Sequence, residues 1–90
     1  MSDLPALIAR LETATEPSRK LDAAIQVAVY GGRIWEKGAH CFVSSDGFPR
    51  FAPLYTASLD CALTLYLVKP EHIPTDPRLA CIEALKARLA

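Results

Sequence analysis

The longest apolar run of the chain, residues 55–68, limits what the rest can form, because the other elements have to cover it. Thr56 is suited to cap a helix beginning at Ala57, since its hydroxyl can accept from N–H groups that have no partner within the helix. The apolar residues that follow recur at the i, i+4, i+7 and i+8 spacing of one helix face: Leu59, Leu63, Tyr66 and Leu67. The run therefore predicts a helix of about 12 residues, which is too short to cross a bilayer, where roughly 20 are needed.

Two amphipathic helices are predicted before this run. The first extends from about Leu4 to Ala14, because Pro17 disfavours a helical conformation in the residue before it. The second is capped by Ser18 and ends at the glycine pair 31–32, since glycine accepts the left-handed conformation that often closes a helix. Its polar face is assigned to the hydrophilic residues Arg19, Lys20, Asp22 and Gln26.

Three short stretches rich in aromatic and β-branched residues separate these helices from the apolar run: 33–35, 39–43 and 48–52. Glycine-containing turns connect them, and connections this short favour antiparallel neighbours. The pattern predicts a three-stranded antiparallel meander packed against the helices. Pro49 and Pro53 flank the third strand, which is typical of a sheet edge or a strand end.

The last segment predicts a helix from Pro77 to about Leu89, because proline is well tolerated at the first helical position. The predicted order is ααβββαα, hence an α+β fold. A chain of 90 residues forms one small domain, 1–90. Its apolar content of 51% predicts a packed core and leaves enough apolar surface for self-association as a homodimer.

The charge pattern disfavours nucleic-acid binding, because ten basic and ten acidic residues cancel and are interspersed. The N-terminal residues have neither the basic segment nor the long apolar segment of a signal peptide, which predicts a cytoplasmic protein without membrane association.

The cysteines predict buried thiols rather than a metal site, because Cys41, Cys61 and Cys81 are far apart and form no Cys-x-x-Cys motif. No cofactor and no catalytic residue is expected. A small enzyme that uses Cys41 or Cys61, for example with His40 as the base, is the alternative.

Five aromatic residues lie on or near the predicted strands, and three short strands cannot hide all five rings on one face: Trp35, Phe42, Phe48, Phe51 and Tyr55. Aromatic residues that point outward, with arginines around them, are typical of the centre of a protein–protein interface. The residues assigned to such a binding surface are Arg33, Trp35, Phe48, Arg50 and Phe51.

Three segments resemble a family of small phage and prophage proteins with the phage αβα (ABA) sandwich domain: LDAAI at 21–25, YTASLDCAL at 55–63 and LACIEALKA at 79–87. The resemblance spans most of residues 7–88. It implies a phage or prophage protein in a bacterial cytoplasm that binds another protein, such as a host enzyme or a host-defence component of the CRISPR type. It brings no catalytic residues. The family carries further strand-like sequence between its central and last helices, whereas this chain has only the loop 69–76 there. A nucleic-acid-binding regulator is a further alternative.

Overall fold

The computed structural model describes residues 4–37, 40–44 and 48–89, with the backbone alone for Lys37 and His40. Within these ranges the chain is α+β, and its elements in order are α1 Leu4–Thr13, α2 Arg19–Tyr30, β1 Arg33–Lys37, β2 His40–Ser44, α3 Leu59–Leu63 and α4 Pro77–Leu89.

The second helix shows why the predicted limits of α1, α2 and α4 lie within a residue or two of the observed ones. Ser18 is extended and its side chain accepts a hydrogen bond from the Leu21 N–H, so it caps α2. Gly31 follows the helix with a φ of 82°, a conformation that costs glycine little. Caps and breakers of this kind act locally and are therefore readable from sequence.

The predicted three-stranded meander is wrong. The described sheet has two antiparallel strands, with Trp35 opposite Phe42. The stretch 48–52 contributes one isolated bridge, in which Val43 and Arg50 exchange backbone hydrogen bonds of 2.7 and 2.9 Å. Flanking prolines lack the N–H groups that a longer ladder needs. Residues 38 and 45–47 of the predicted turns, and residue 39 of the predicted second strand, lie outside the described part of the chain.

The predicted long helix over the apolar run is also wrong. Helix α3 has five residues, and its cap is Ser58, whose side chain accepts from the Cys61 N–H at 3.4 Å. Thr64 ends the helix by donating its hydroxyl to the Cys61 carbonyl at 2.6 Å, a local bond that competes with helix continuation. Beyond this point the chain turns away, and the side chain of Leu67 is 69% exposed.

The described residues form two hydrophobic clusters. The larger one draws on all four helices, with α1 packed against α2 and α4, and α3 packed against α4. The smaller one joins the inner face of the sheet to α2: Ala23, Cys41, Val43 and Ala52. The helical part of the apolar run therefore packs on α4, and the sheet is supported mainly by α2.

Candidate binding surface

Three aromatic side chains lie side by side on the outer face of the sheet, and we call them the aromatic row: Trp35, Phe42 and Phe51. Trp35 and Phe42 are cross-strand partners, so their side chains share a face. The rings of Phe42 and Phe51 are 4.8 Å apart between centroids and tilted by 38°, which is a favourable aromatic geometry. The alternate residues Cys41 and Val43 are buried towards α2, so the row faces away from the core.

An arginine lies over the ring at each end of the aromatic row. The Arg33 guanidinium is 5.7 Å from the Trp35 ring centroid, and that of Arg19 is 5.6 Å from the Phe51 centroid. Both distances are within the range of a cation–π interaction. Trp35 is 47% exposed and Phe51 59% exposed, so the row combines accessible rings with positive charge.

A surface depression of about 130 Å³ adjoins the row between α2 and the segment that follows β2. Its lining includes Gln26, Tyr30, Phe48, Arg50, Phe51 and Pro53. Phe48 is 69% exposed, and Phe51 belongs to both the row and the depression. The Gln26 side-chain oxygen accepts a hydrogen bond from the buried Tyr55 hydroxyl, which fixes the amide at the floor.

A buried hydrogen-bond network, the Asp22 lock, holds this segment against α2. Asp22 is 1% exposed and accepts from Arg19 at 2.9 Å, from the Thr56 N–H at 2.8 Å and from the Thr56 hydroxyl at 2.7 Å. The Thr56 hydroxyl oxygen in turn accepts from the Ser18 N–H at 2.9 Å. Arg19 also donates to the Ala52 carbonyl at 2.7 Å. One guanidinium thus joins the buried carboxylate to the backbone next to Phe51.

The assignment of Asp22 to the polar face of α2 is corrected by this network. A sequence signal was present, because Asp22 directly follows the buried Leu21 and precedes the buried Ile25 by three positions, which places it beside the apolar stripe. Its partner Thr56, predicted to be a helix cap, is 34 residues away in sequence. That partner was not recognisable from the local pattern.

The predicted binding residues divide between two neighbouring parts of this surface. Arg33 and Trp35 lie on β1 at one end of the aromatic row, whereas the other three line the depression: Phe48, Arg50 and Phe51. Sequence reasoning did not select Tyr30 or Arg19, which reach the surface from α2. Tyr30 directly precedes the glycines that end α2, and this position was the available hint that it would lie next to the strands.

Cysteine chemistry is not favoured by the surroundings of Cys81. Its side chain is buried, and its sulfur donates to the Tyr55 carbonyl at 3.2 Å. Burial, followed by the charges of Asp22 and Asp76, raises the pKa of this thiol to about 12. Cys41 is also buried, and Cys61 is half-buried in α3. The proposed pairing with His40 depends on a side chain outside the described part of the structure.

A second cavity, of about 230 Å³, lies at the opposite end of the apolar run. It is lined by Leu63, Tyr66, Lys69, Pro70 and Ile73. The Tyr66 hydroxyl donates to Glu83 at 2.9 Å, and burial together with this carboxylate raises the Tyr66 pKa to about 12. The lining of this cavity includes one aromatic residue, whereas the lining of the depression beside the aromatic row includes three aromatic residues.

Within the described ranges, no group of three histidine, cysteine or acidic side chains is placed to hold a metal ion. None of the four helices there is long and apolar enough to cross a membrane.

Comparisons of this chain with protein-family models, with curated proteins and with solved structures find no match. Its function therefore has to be inferred from the chemistry and placement of the residues described above.

Proposed function

We propose that this chain is a non-enzymatic protein that binds another protein through the aromatic row and the adjoining depression. The observation that carries the proposal is the exposure of three large rings, of which Trp35 and Phe51 belong to the aromatic row and Phe48 to the adjoining depression. Arginines accompany two of these rings. Aromatic residues and arginine are the types that dominate binding energy at protein interfaces.

The position of the rings supports binding better than a role in stability. The sheet is attached to the rest of the molecule by its inner face, through Cys41 and Val43. Trp35 lies on the outer face, away from that cluster. Keeping large apolar surface in water is unfavourable, and patches of this kind commonly mark an interaction site. A partner that covers the rings would remove this cost.

The nature of the partner is the finer part of the proposal. The resemblance of residues 21–25, 55–63 and 79–87 to phage ABA-sandwich proteins supports a phage or prophage protein in the bacterial cytoplasm. The partner would then be a host or phage protein, including a host enzyme or a CRISPR-type defence component whose activity is inhibited on binding.

Nucleic-acid binding is a second candidate, because bases of a single strand also stack on rings that lie across a sheet. The aromatic row and the arginine over Trp35 favour it. The balance of ten basic and ten acidic residues weighs against it, since backbone binding depends on excess positive charge. Anisotropy of a labelled single-stranded RNA at about 50 and 200 mM salt decides the matter, because true binding falls steeply between them.

Site-specific photo-cross-linking in bacterial cells tests the protein-binding proposal. The photoreactive residue p-benzoylphenylalanine replaces Trp35 in one variant and Leu67 in the control, since Leu67 is exposed but belongs neither to the aromatic row nor to the depression. We expect a discrete cross-linked protein, identified by mass spectrometry, from position 35 and not from position 67.

Competition completes this experiment. Excess untagged wild-type protein should abolish the cross-link, and a Phe48→Ala/Phe51→Ala variant should not. Both rings are largely exposed, so the double variant should stay folded, which thermal unfolding by circular dichroism checks. Equal cross-linking from both positions, or equal competition by both proteins, would contradict the proposed surface.

A further inference from the structure

We infer that the partner presents an extended peptide segment, with one aromatic side chain in the depression and a carboxylate about three residues away beside Arg33. This inference rests on the proposed function and specifies the chemistry of its partner. The volume of the depression, the direction of the aromatic row and the distribution of charge around it support this chemistry.

The depression is the size of a single ring. Its volume is about 130 Å³, whereas an engineered cavity of about 150 Å³ in another protein binds benzene and pockets for complete small-molecule ligands measure about 300–1,000 Å³. Three rings in its lining offer edges and faces to an inserted ring: Tyr30, Phe48 and Phe51. One inserted aromatic side chain fills it, so the rest of the contact has to lie outside.

The aromatic row gives the direction in which the ligand continues. Phe51 borders the depression, Phe42 lies beside it, and Trp35 is the next ring on the same face. Neighbouring strands are about 4.8 Å apart, so Trp35 lies roughly 10 Å from Phe51 across two strand spacings. An extended peptide covers about 3.3 Å per residue and reaches Trp35 about three residues after the inserted ring.

Charge at the far end of the row calls for an acidic group on the ligand. The Arg19 guanidinium, at the Phe51 end, is already paired with Asp22 at 2.9 Å. The exposed Arg33 at the Trp35 end is placed to form a two-pronged hydrogen bond with a carboxylate, the geometry for which guanidinium is well suited.

A second copy of this chain fits this requirement poorly. In a symmetric dimer formed through this face, each subunit would present the same residues to the other. The described residues on the outer face of the sheet include no acidic side chain, because Glu36 pairs with Cys41 and lies with the inner set. Among the described residues, this face would offer Arg33 no carboxylate partner in such a dimer.

Selection from a displayed library of random 12-residue peptides tests the inference, with wild-type protein as bait and the Phe48→Ala/Arg33→Glu variant as the counter-selection. We expect wild-type protein to enrich peptides that carry Phe, Tyr or Trp with Asp or Glu three to four residues away. Replacing the peptide ring by Ala should weaken binding about tenfold in fluorescence anisotropy, as expected for loss of a buried ring contact.

Matched variants of the protein separate the two parts of the ligand. Phe48→Ala should weaken binding about tenfold, whereas Leu67→Ala, at a side chain with the same exposed fraction of 69%, should leave it unchanged. Arg33→Glu should weaken binding and should prefer a peptide in which Lys replaces the acid. Arg10→Glu, an equal charge change on α1, should have no effect.

Three outcomes would overturn the inference. The first is enrichment of peptides that lack an acidic residue three to four positions from an aromatic one, and the second is equal peptide affinity for wild-type and Phe48→Ala/Arg33→Glu protein. The third is displacement of the peptide by 3-phenylpropionate at the concentration at which the peptide itself binds. The last outcome would assign the depression to a small aromatic acid. Cross-linking at position 35 without such a peptide motif leaves the proposed function standing. Motif peptides without any cellular cross-link contradict the proposed function, and the inference about its partner is then lost with it.

Discussion

At the scale of single residues, Asp22 connects the interior of the molecule to the proposed binding surface. Asp22→Asn keeps the shape of the side chain but removes the charge that pairs with Arg19 and accepts two hydrogen bonds from Thr56. Because disrupting a buried charged network costs about 3–5 kcal/mol, we expect the free energy of unfolding to fall by about 3 kcal/mol, measured by guanidinium denaturation. The matched control is Asp60→Asn, at an exposed carboxylate in α3, with an expected change of less than about 0.5 kcal/mol. Equal losses in the two variants would contradict the importance of the lock.

Because of Cys81, the free energy of unfolding should decrease with pH in the alkaline range. Its thiol has a pKa of about 12 in the folded protein, against an ordinary value of 9.0. Above pH 9 the unfolded chain loses this proton while the folded chain keeps it, so the contribution is complete below pH 9 and is lost as the pH rises towards 12. The expected slope is up to about 1.4 kcal/mol per pH unit. Denaturation of wild-type and Cys81→Ala protein at pH 8, 9 and 10 measures it.

The ionisation of tyrosine in the same pH range has to be separated from that of Cys81, and the comparison with Cys81→Ala does this. Burial also raises the pKa of Tyr55 to about 12, and that contribution stays in both proteins. The difference between wild type and Cys81→Ala should therefore report the thiol alone, and it should begin between pH 9 and 10, below the ordinary tyrosine pKa of 10.0. Parallel curves over that interval would show that the thiol ionises equally in both states.

At the scale of elements, helix α3 depends on its cap because it has only five residues. Ser58→Ala removes the side-chain oxygen that accepts from the Cys61 N–H, and we expect a loss of about 1 kcal/mol. Ser58→Asp keeps an acceptor in place and should retain most of the stability. Chemical denaturation of the three proteins measures the difference. A loss in Ser58→Asp as large as in Ser58→Ala would argue against capping.

Local rules predicted the helices well and the apolar run poorly. Helices α1, α2 and α4 have caps, prolines or glycines at their ends, and these act within a few residues. The spacing of apolar residues in 59–67 fits a longer helix, but periodicity does not state whether other elements are available to cover that face. Here α4 covers the first turns, and the exposed Leu67 lies beyond it.

The exposure of aromatic rings was predictable from the sequence, but the shape of the surface that they form was not. Trp35, Phe48 and Phe51 were selected because three short strands cannot hide so many rings, and all three are exposed. The contributions of Tyr30 and Arg19 depend on how α2 lies against residues far away in the chain. Contacts of this kind arise from tertiary packing and leave no local pattern.

At the scale of the whole molecule, the two hydrophobic clusters predict two levels of stability. The cluster beneath the sheet is small, so the sheet should open without unfolding of the helices. Val43→Ala should accelerate hydrogen exchange of the described β1 and β2 amides while leaving α1 and α4 protected, as measured by NMR. The control is Ile82→Val, at an equally buried position (9% exposed) in the larger cluster, which should affect all slowly exchanging amides. Uniform acceleration by Val43→Ala would indicate a single cooperative unit.

The hydrogen bonds between Asp22 and Thr56 also join two points of the chain that are 34 residues apart, so that the segment between them forms a closed loop whose two ends lie beside the helical core. The residues of the proposed contact from Tyr30 to Phe51 lie inside that closed loop, whereas Arg19 lies just before it. Substitutions of exposed residues in this closed loop can change the proposed contact while the Asp22–Thr56 hydrogen bonds and the helical core remain intact. Sequence changes confined to the segment between Asp22 and Thr56 could therefore alter the proposed specificity without any change in the helical core.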